Sequence, residues 1–455
     1  MKSCTIAIFQ EVCYNSPQRK ERMLRRKFYN RLLEWKKKEK KMPLLVKGAR
    51  QVGKTFIIRQ FAKTYATYVE LNFLENPEHC RVFEGALDAA SIYSRLTLIV
   101  RDVRLVPGNT LIFLDEIQKC GAARTALKFL AEDGRYDIVA SGSLLGIQQN
   151  GVASIPVGYE ETAVMHSLDL EEFLWAKGYG EDHVASVREA FAEHGKVDDF
   201  LNEKFHEETR DYIAIGGMPA IVDAFAKNRD YGEADALQRG IIADYMDDIM
   251  NYAPDAEKPK VRSCFMSIPR QLARESENRK FKYSEVEKGV GARKYGNSVE
   301  WLRDAEMAEM AYNLTAPLFP LSAYVDDSIF KLYLSDIGLL TAMYGFGVKA
   351  AVVGGTISGT VKGALYENLV ASCLVRNSHA LRYLRDRHEP LEVEFLIEEE
   401  GKVVPVEVKA SNSSTASLDR LLSREDIPFG YKLTAGNVGV SGKKVTLPHY
   451  MAMFL

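Results

Sequence analysis

The chain has 455 residues, 46% hydrophobic and 27% charged, with 60 Lys and Arg against 62 Asp and Glu. That length accommodates about three domains, and the composition is ordinary for a soluble protein; no apolar run approaches the ~20 residues that span a bilayer, which excludes a membrane partner of that kind. The net charge of −2 decides nothing about nucleic acid, because opposite local charges cancel in the sum, and the six scattered cysteines, with no C-x-x-C pair or histidines in metal-ligand spacing, suggest no zinc site and a reducing, cytoplasmic setting.

Residues 1–22 lack the apolar core of a secretory signal. Their irregular sequence, followed by a helical pattern from Met23, predicts that translation begins at Met23, which the mass of the native N-terminus tests. Residues 19–41 are rich in Lys and Arg, with Phe28, Tyr29, Leu32, Leu33 and Trp35 at helical spacing. This is a basic amphipathic helix. It either packs its aromatic stripe on the following domain or contacts nucleic acid.

The apolar run 44–46, the segment Gly48, Ala49, Arg50, Gln51, Val52, Gly53, Lys54, Thr55, and the helical stretch 56–63 have the strand, loop and helix order of a phosphate-binding P-loop. Gly48 and Gly53 permit the tight turn that points backbone N–H groups inward. Lys54 then neutralises the β- and γ-phosphates, and Thr55 offers a hydroxyl to Mg²⁺. Phe56 belongs to the same nucleotide-binding segment.

Residues 67–72 form a short buried strand. After the 107–109 turn, the apolar strand 110–114 ends in Asp115 and Glu116, a Walker B pattern. A buried parallel strand carries polar side chains only at its C-terminal edge, where ligands bind. Asp115 is placed for the Mg²⁺ shell and Glu116 for the attacking water; alternatively Asp115 caps the next helix. Strand 138–140 ends in Ser141, Gly142 and Ser143, whose hydroxyls either sense the γ-phosphate or simply turn the chain. Strands alternating with helices predict a parallel sheet.

Residues 168–252 are helical, interrupted near Gly216 and Gly217, and 253–260 is a polar, proline-bearing linker. Helices over 261–272 and 297–308, followed by a hairpin of 324–328 and 331–334, predict a winged helix. A glycine-rich stretch, 344–363, precedes a last unit. There 391–397 and 403–409 are strands by alternation. Period 2 places Glu392 with Glu394, and Glu407 with Lys409, on shared faces that a hairpin brings together. Glu367, on a helix over 365–375, adds a third carboxylate. Such a set suits metal-dependent phosphodiester hydrolysis; a solvated, charged hairpin face explains it equally well.

These blocks, with Leu170 to Leu174, Gly216 to Pro219, Lys331 to Leu339 and Tyr366 to Asn368, resemble a large family of predicted prokaryotic ATPases. In that family an AAA-type P-loop core precedes a winged helix and a C-terminal PD-(D/E)xK nuclease-like domain. The resemblance implies an α/β architecture: a basic N-terminal extension and helix (1–41), an ATPase core with a parallel sheet (42–165), a helical lid (166–255), a winged helix (256–350) and a small restriction-endonuclease-like domain (351–455). It also implies ATP as the nucleotide, with Pro219 of a G-x-P element against the adenine. Two departures stand out: Glu394 replaces the common Asp, and Tyr159 stands where an arginine is frequent, leaving Arg50, Arg124 or a neighbouring subunit of a homo-oligomer to supply that charge.

The reading that follows is a Mg²⁺-dependent ATPase, with Glu116 and Lys54 catalytic, which couples hydrolysis to rearrangement of C-terminal domains that bind DNA or RNA. Two alternatives remain: a slow nucleotide-dependent switch whose degenerate nuclease-like domain is a binding module, and an active metal-dependent nuclease using Glu367, Glu394, Glu407 and Lys409.

Overall fold

A computed structural model describes residues 24–101, 103–143, 158–274, 280–289, 291–386, 391–410 and 415–455. The expected start at Met23 lies outside them. The chain divides into two compact units, Met1–Met165 and His166–Leu455.

The first unit contains α1 (Lys27–Lys36), β1 (Leu44–Lys47), α2 (Lys54–Ala62), β2 (Thr67–Asn72), α3 (Ala89–Ile99), β3 (Thr110–Asp115), α4 (Gly121–Asp133), β4 (Asp137–Ser141) and β5 (Glu161–Val164). Its sheet has the order β2-β3-β4-β1-β5, and every pairing is parallel. Every residue of β3 and β4 is buried, as expected of strands covered on both faces. This is an α/β unit with a parallel sheet, as the alternation of strands and helices predicts. The basic helix takes the packing role: α1 buries Phe28, Leu32 and Trp35, Trp35 meets Phe61 of α2 edge-on, and Lys36 lies over the Tyr65 ring at 3.6 Å.

The second unit opens with α5 (Leu170–Lys177), α6 (Glu181–Ala192), α7 (Asp199–Ile215), α8 (Pro219–Asn228) and α9 (Tyr231–Tyr252), followed by α10 (Lys258–Leu272) and α11 (Ala292–Asp304). The hairpin differs from expectation. Residues 325–334 form one strand, β7 (Val325–Leu334), which pairs antiparallel with β6 (Ala308–Leu314). The polar Asp326, Asp327 and Ser328 are not the turn of the hairpin but an irregularity within β7, where the register jumps from Phe330 opposite Tyr312 to Asp326 opposite Asn313 and Ser328 N donates to Asp326 Oδ1 at 3.0 Å. The hairpin's true turn lies at 315–324.

The chain continues through α12 (Ile337–Tyr344), α13 (Phe346–Val353), α14 (Gly359–Arg376), β8 (Arg382–Arg385), β9 (Glu392–Val393), β10 (Phe395–Glu399), β11 (Lys402–Val408), α15 (Ala416–Leu422), β12 (Gly430–Thr434), β13 (Gly439–Ser441) and β14 (Lys444–Pro448). Two sheets result, β7-β6-β8-β9 and β10-β11-β12-β14-β13. Here the expected partition into lid, winged helix and terminal domain meets one compact body. Strand β8 adds to β6 in parallel, so a single sheet crosses the expected boundary at residue 350.

Asp336 ties the earlier boundary in the same way. Its carboxylate accepts from Ser167 Oγ (2.8 Å), Gly217 N (2.9 Å), Gly338 N (2.9 Å) and Leu339 N (3.1 Å). Backbones meet so closely there that a Cβ on Gly217 would collide with the Leu168 carbonyl, and one on Gly338 with that of Ile215. Glycine is required at both positions.

Candidate functional site

In the first unit the candidate residues gather where β1, β3 and β4 end. Gly48, at φ 150°, has no room for a side chain beside the Met165 carbonyl, and Gly53, at φ 92°, is left-handed and leads into α2. That helix has neither a side-chain cap nor an acidic residue in its first turn, so its N-terminal dipole and N–H groups are kept for an anion. The Lys54 ammonium is buried and donates to the carbonyls of Gly48 and Ala49, both at 2.8 Å. Ala49 and Val52 are buried, whereas Arg50, Gln51 and Phe56 face solvent, Phe56 at 49% exposure.

Thr55 Oγ1 donates to Asp115 at 3.1 Å. Asp115 also accepts from Asn72 Nδ2 at 3.2 Å and from the Ser141 hydroxyl. The register explains the cluster: Asn72 stands opposite Asp115 on β2, and Ser141 ends β4, which lies between β1 and β3. Ser141 is thus a direct support of Asp115. Burial raises the Asp115 carboxyl above its ordinary range, the Ser141 and Thr55 hydroxyls oppose that shift, and the neighbouring Glu116 charge adds to it. Two adjacent hard oxygen donors, Thr55 and Asp115, fit Mg²⁺, which takes one or two protein ligands and completes its shell with phosphate and water.

Glu116 sits at a left-handed corner, φ 53° and ψ 46°, uncommon for a residue other than glycine. Its Oε2 accepts from the Gln118 amide and from Ser143 Oγ at 3.3 Å. Asn72, Gln118 and Ser143 are supports to which the sequence argument gave no such role. Strand register identifies Asn72; for the other two the signal was only their closeness to the Walker B strand and the Ser141 turn. Arg124, a candidate for the missing arginine, is engaged in a two-pronged ion pair with Glu160, while Tyr159 lies under Lys128 at 5.1 Å. Pro219 belongs to the second unit, as the first residue of α8.

The second constellation is also in the second unit, but divided. The expected continuous strand breaks at Glu394, where the chain leaves β9 in one sheet for β10 in the other. Glu392 and Glu394 therefore do not share a partner. Glu392 meets Lys331 at 3.2 Å; Lys331 also holds Glu367 at 2.9 Å, and Glu367 accepts from the Tyr333 hydroxyl. Glu394 accepts from Val408 N at 3.2 Å and meets Lys409 at 3.6 Å, while Lys409 binds Glu407 at 2.6 Å. The predicted shared face of Glu407 and Lys409 is present.

Burial, then the charges of Glu407 and Glu367, push the Glu394 carboxyl up, and burial does the same to Glu407. Lys409 is held above its ordinary value by both carboxylates although burial opposes its charge. Among the described residues, no group of three or more His, Cys, Asp or Glu side chains is arranged to hold a metal.

Residues 40–174 match an AAA domain family, residues 206–350 a domain of unknown function (DUF8612), and residues 362–449 another (DUF4143). No curated protein matches the chain. Among solved structures, the Walker-type ATPase PABY2304 of Pyrococcus abyssi is 14% identical, covering 72% of this chain and 97% of its own, with a TM-score of 0.42. The Aeropyrum pernix ORC1 protein in complex with DNA is also 14% identical, over 71% and 93%, with a TM-score of 0.28. The AAA match and the loop geometry together support a P-loop ATPase at that general level.

Proposed function

We propose that the protein is a Mg²⁺-dependent ATPase whose second unit binds nucleic acid. The observation that carries the ATPase reading is the pairing of Thr55 with Asp115 beside a Glu116 carboxylate fixed by Gln118 and Ser143. Lys54, oriented by two carbonyls, neutralises phosphate charge. Thr55 and Asp115 hold Mg²⁺, which when bound neutralises charge on the phosphoryl oxygens. Because Glu116 Oε2 is occupied by two donors, Oε1 accepts the proton of the attacking water. ATP in preference to other nucleotides follows from the likeness of Gly217, Met218 and Pro219 to a G-x-P element.

Glu116→Gln keeps the two supports and removes the base. It is expected to bind ATP as the parent does and to lose turnover by roughly a hundredfold or more, read by binding of a fluorescent ATP analogue and by phosphate release. Parental turnover in that variant removes Glu116 from the mechanism.

Nucleic-acid binding rests on the α10, α11, β6, β7 order, which is that of a winged helix. The terminal carboxylates favour a binding module over a nuclease, because each is already engaged within the fold, Glu367 and Glu392 by Lys331 and Glu394 and Glu407 by Lys409. Single- and double-stranded DNA or RNA incubated with the protein and Mg²⁺ or Mn²⁺ is expected to stay intact. Cleavage that disappears in Lys409→Ala overturns the binding-module reading.

A further inference from the structure

A cavity of about 420 Å³ lies within the second unit, and none of the terminal carboxylates lines it. Two helices wall it. From α7 come Glu203, His206 and Arg210; from α14 come Lys362 and Tyr366, one turn apart, with Gly355 just before that helix.

Its cations are unusual. Arg210 Nε is buried with no hydrogen-bond acceptor, and among the described residues neither Arg210 nor Lys362 has a carboxylate within ion-pair distance. Lys362 sits in the first turn of α14, which has no side-chain cap and no acidic residue there. A cation at a helix N-terminus opposes the helix dipole, and a guanidinium nitrogen buried without an acceptor costs stability. Both costs are offset when an anion occupies the space between them. Gly355, at φ 70°, keeps the chain open beside Arg210, its Cβ position lying 4.0 Å from Nε. The one acid on the wall, Glu203, is solvent-exposed, and His206 Nε2 donates to the Gly436 carbonyl at 3.2 Å, with burial and Arg210 both disfavouring its charged form. The interior is therefore cationic through Arg210 and Lys362.

We propose that this cavity binds a phosphate-bearing ligand, its phosphoryl group held by Arg210, Lys362 and the N–H groups that open α14. A guanidinium and an ammonium converging on a helix N-terminus are a strong phosphate-binding combination. The volume exceeds that of a bare ion and falls within the range of small-molecule sites, so an organic group enters with the phosphate. A free nucleoside monophosphate and the 5′-phosphorylated end of a strand share this chemistry.

The test uses the full chain carrying Lys54→Ala, so that the P-loop contributes as little as possible, and calorimetric titration with AMP, inorganic phosphate, and a short oligonucleotide bearing either a 5′-phosphate or a 5′-hydroxyl. At least one phosphate ligand is expected to bind, and Arg210→Gln or Lys362→Gln to weaken it about tenfold or more. Binding of AMP without the oligonucleotide assigns the site to a small ligand; tenfold preference for the 5′-phosphorylated strand over its hydroxyl form assigns it to a strand end. The proposal is overturned if no phosphate ligand binds, or if binding is unchanged in Lys362→Gln and Arg210→Gln. Lys362 is partly exposed, so its variant is expected to unfold at the parental denaturant midpoint and keeps the test valid should Arg210→Gln fail to fold.

Discussion

His449 is almost wholly buried, its ring tilted against that of Tyr366 with centroids 4.3 Å apart, and its Nε2 lies 3.1 Å from the Lys409 carbonyl. Burial, then the nearby charges of His206 and Lys362, lower its pKa to about 3. The folded state therefore disfavours the proton that an unfolded histidine accepts near pH 6.5. The stabilising effect of keeping His449 neutral is fully present above that pH and is lost as pH falls toward about 3, at about 1.4 kcal/mol for each pH unit. Urea midpoints between pH 7 and 5 are expected to fall more steeply for the parent than for His449→Gln, which retains a donor for Lys409. Parallel slopes overturn this assignment. The residues of the ATPase site were more legible than His449, because Gly48, Lys54, Thr55, Asp115 and Glu116 act through fixed spacing around strand ends. Asn72, Gln118 and Ser143 act through a neighbouring strand or a local turn, and single-residue chemistry does not announce such a role.

At the scale of elements, legibility followed the sharpness of each boundary. The strand β3 was readable because its apolar run ends abruptly in Asp115 and Glu116 at the sheet edge. Residues 325–334 misled because Asp326, Asp327 and Ser328 carry turn chemistry on a strand that is exposed at that point; that chemistry produces a bulge, across which the pairing with β6 shifts register and then resumes, and not a chain reversal. The alternation over 391–397 was real, but period 2 cannot show that a strand changes sheets at Glu394. The Leu170 to Leu174 block acquires a physical reason instead: Asp169 and Glu172 form a reciprocal capping box at the start of α5. Likewise Asn368 completes the edge of β7, its side chain accepting from Leu334 N at 2.8 Å and donating to Leu334 O at 2.9 Å.

The whole molecule raises the question of what can move independently. Sequence families divide the second half near residue 350, yet contacts cross that point repeatedly. Strand β8 pairs with β6, Arg376 donates to Ser167 at 2.9 Å, Tyr450 donates to Asn202 at 2.7 Å, and Asn437 donates to the Val197 carbonyl at 2.8 Å. Each joins the terminal hundred residues to elements from the earlier half of the unit. Asp336 does the same between 167–217 and 336–339. These contacts join the segments of the second unit into one compact body. Removing residues 351–455 is expected to unfold the remainder of the second unit, because it strips α14 from β7 and takes β8 from β6, leaving β6 paired with β7 alone. The first unit, with its own sheet and core, is expected to keep its fold and its affinity for ATP. Thermal unfolding and limited proteolysis of a chain ending at residue 350 measure both: a protected, cooperatively unfolding 166–350 segment shows that the sequence boundary is also a physical one, whereas its rapid digestion beside an intact first unit shows that the second unit moves as a single piece.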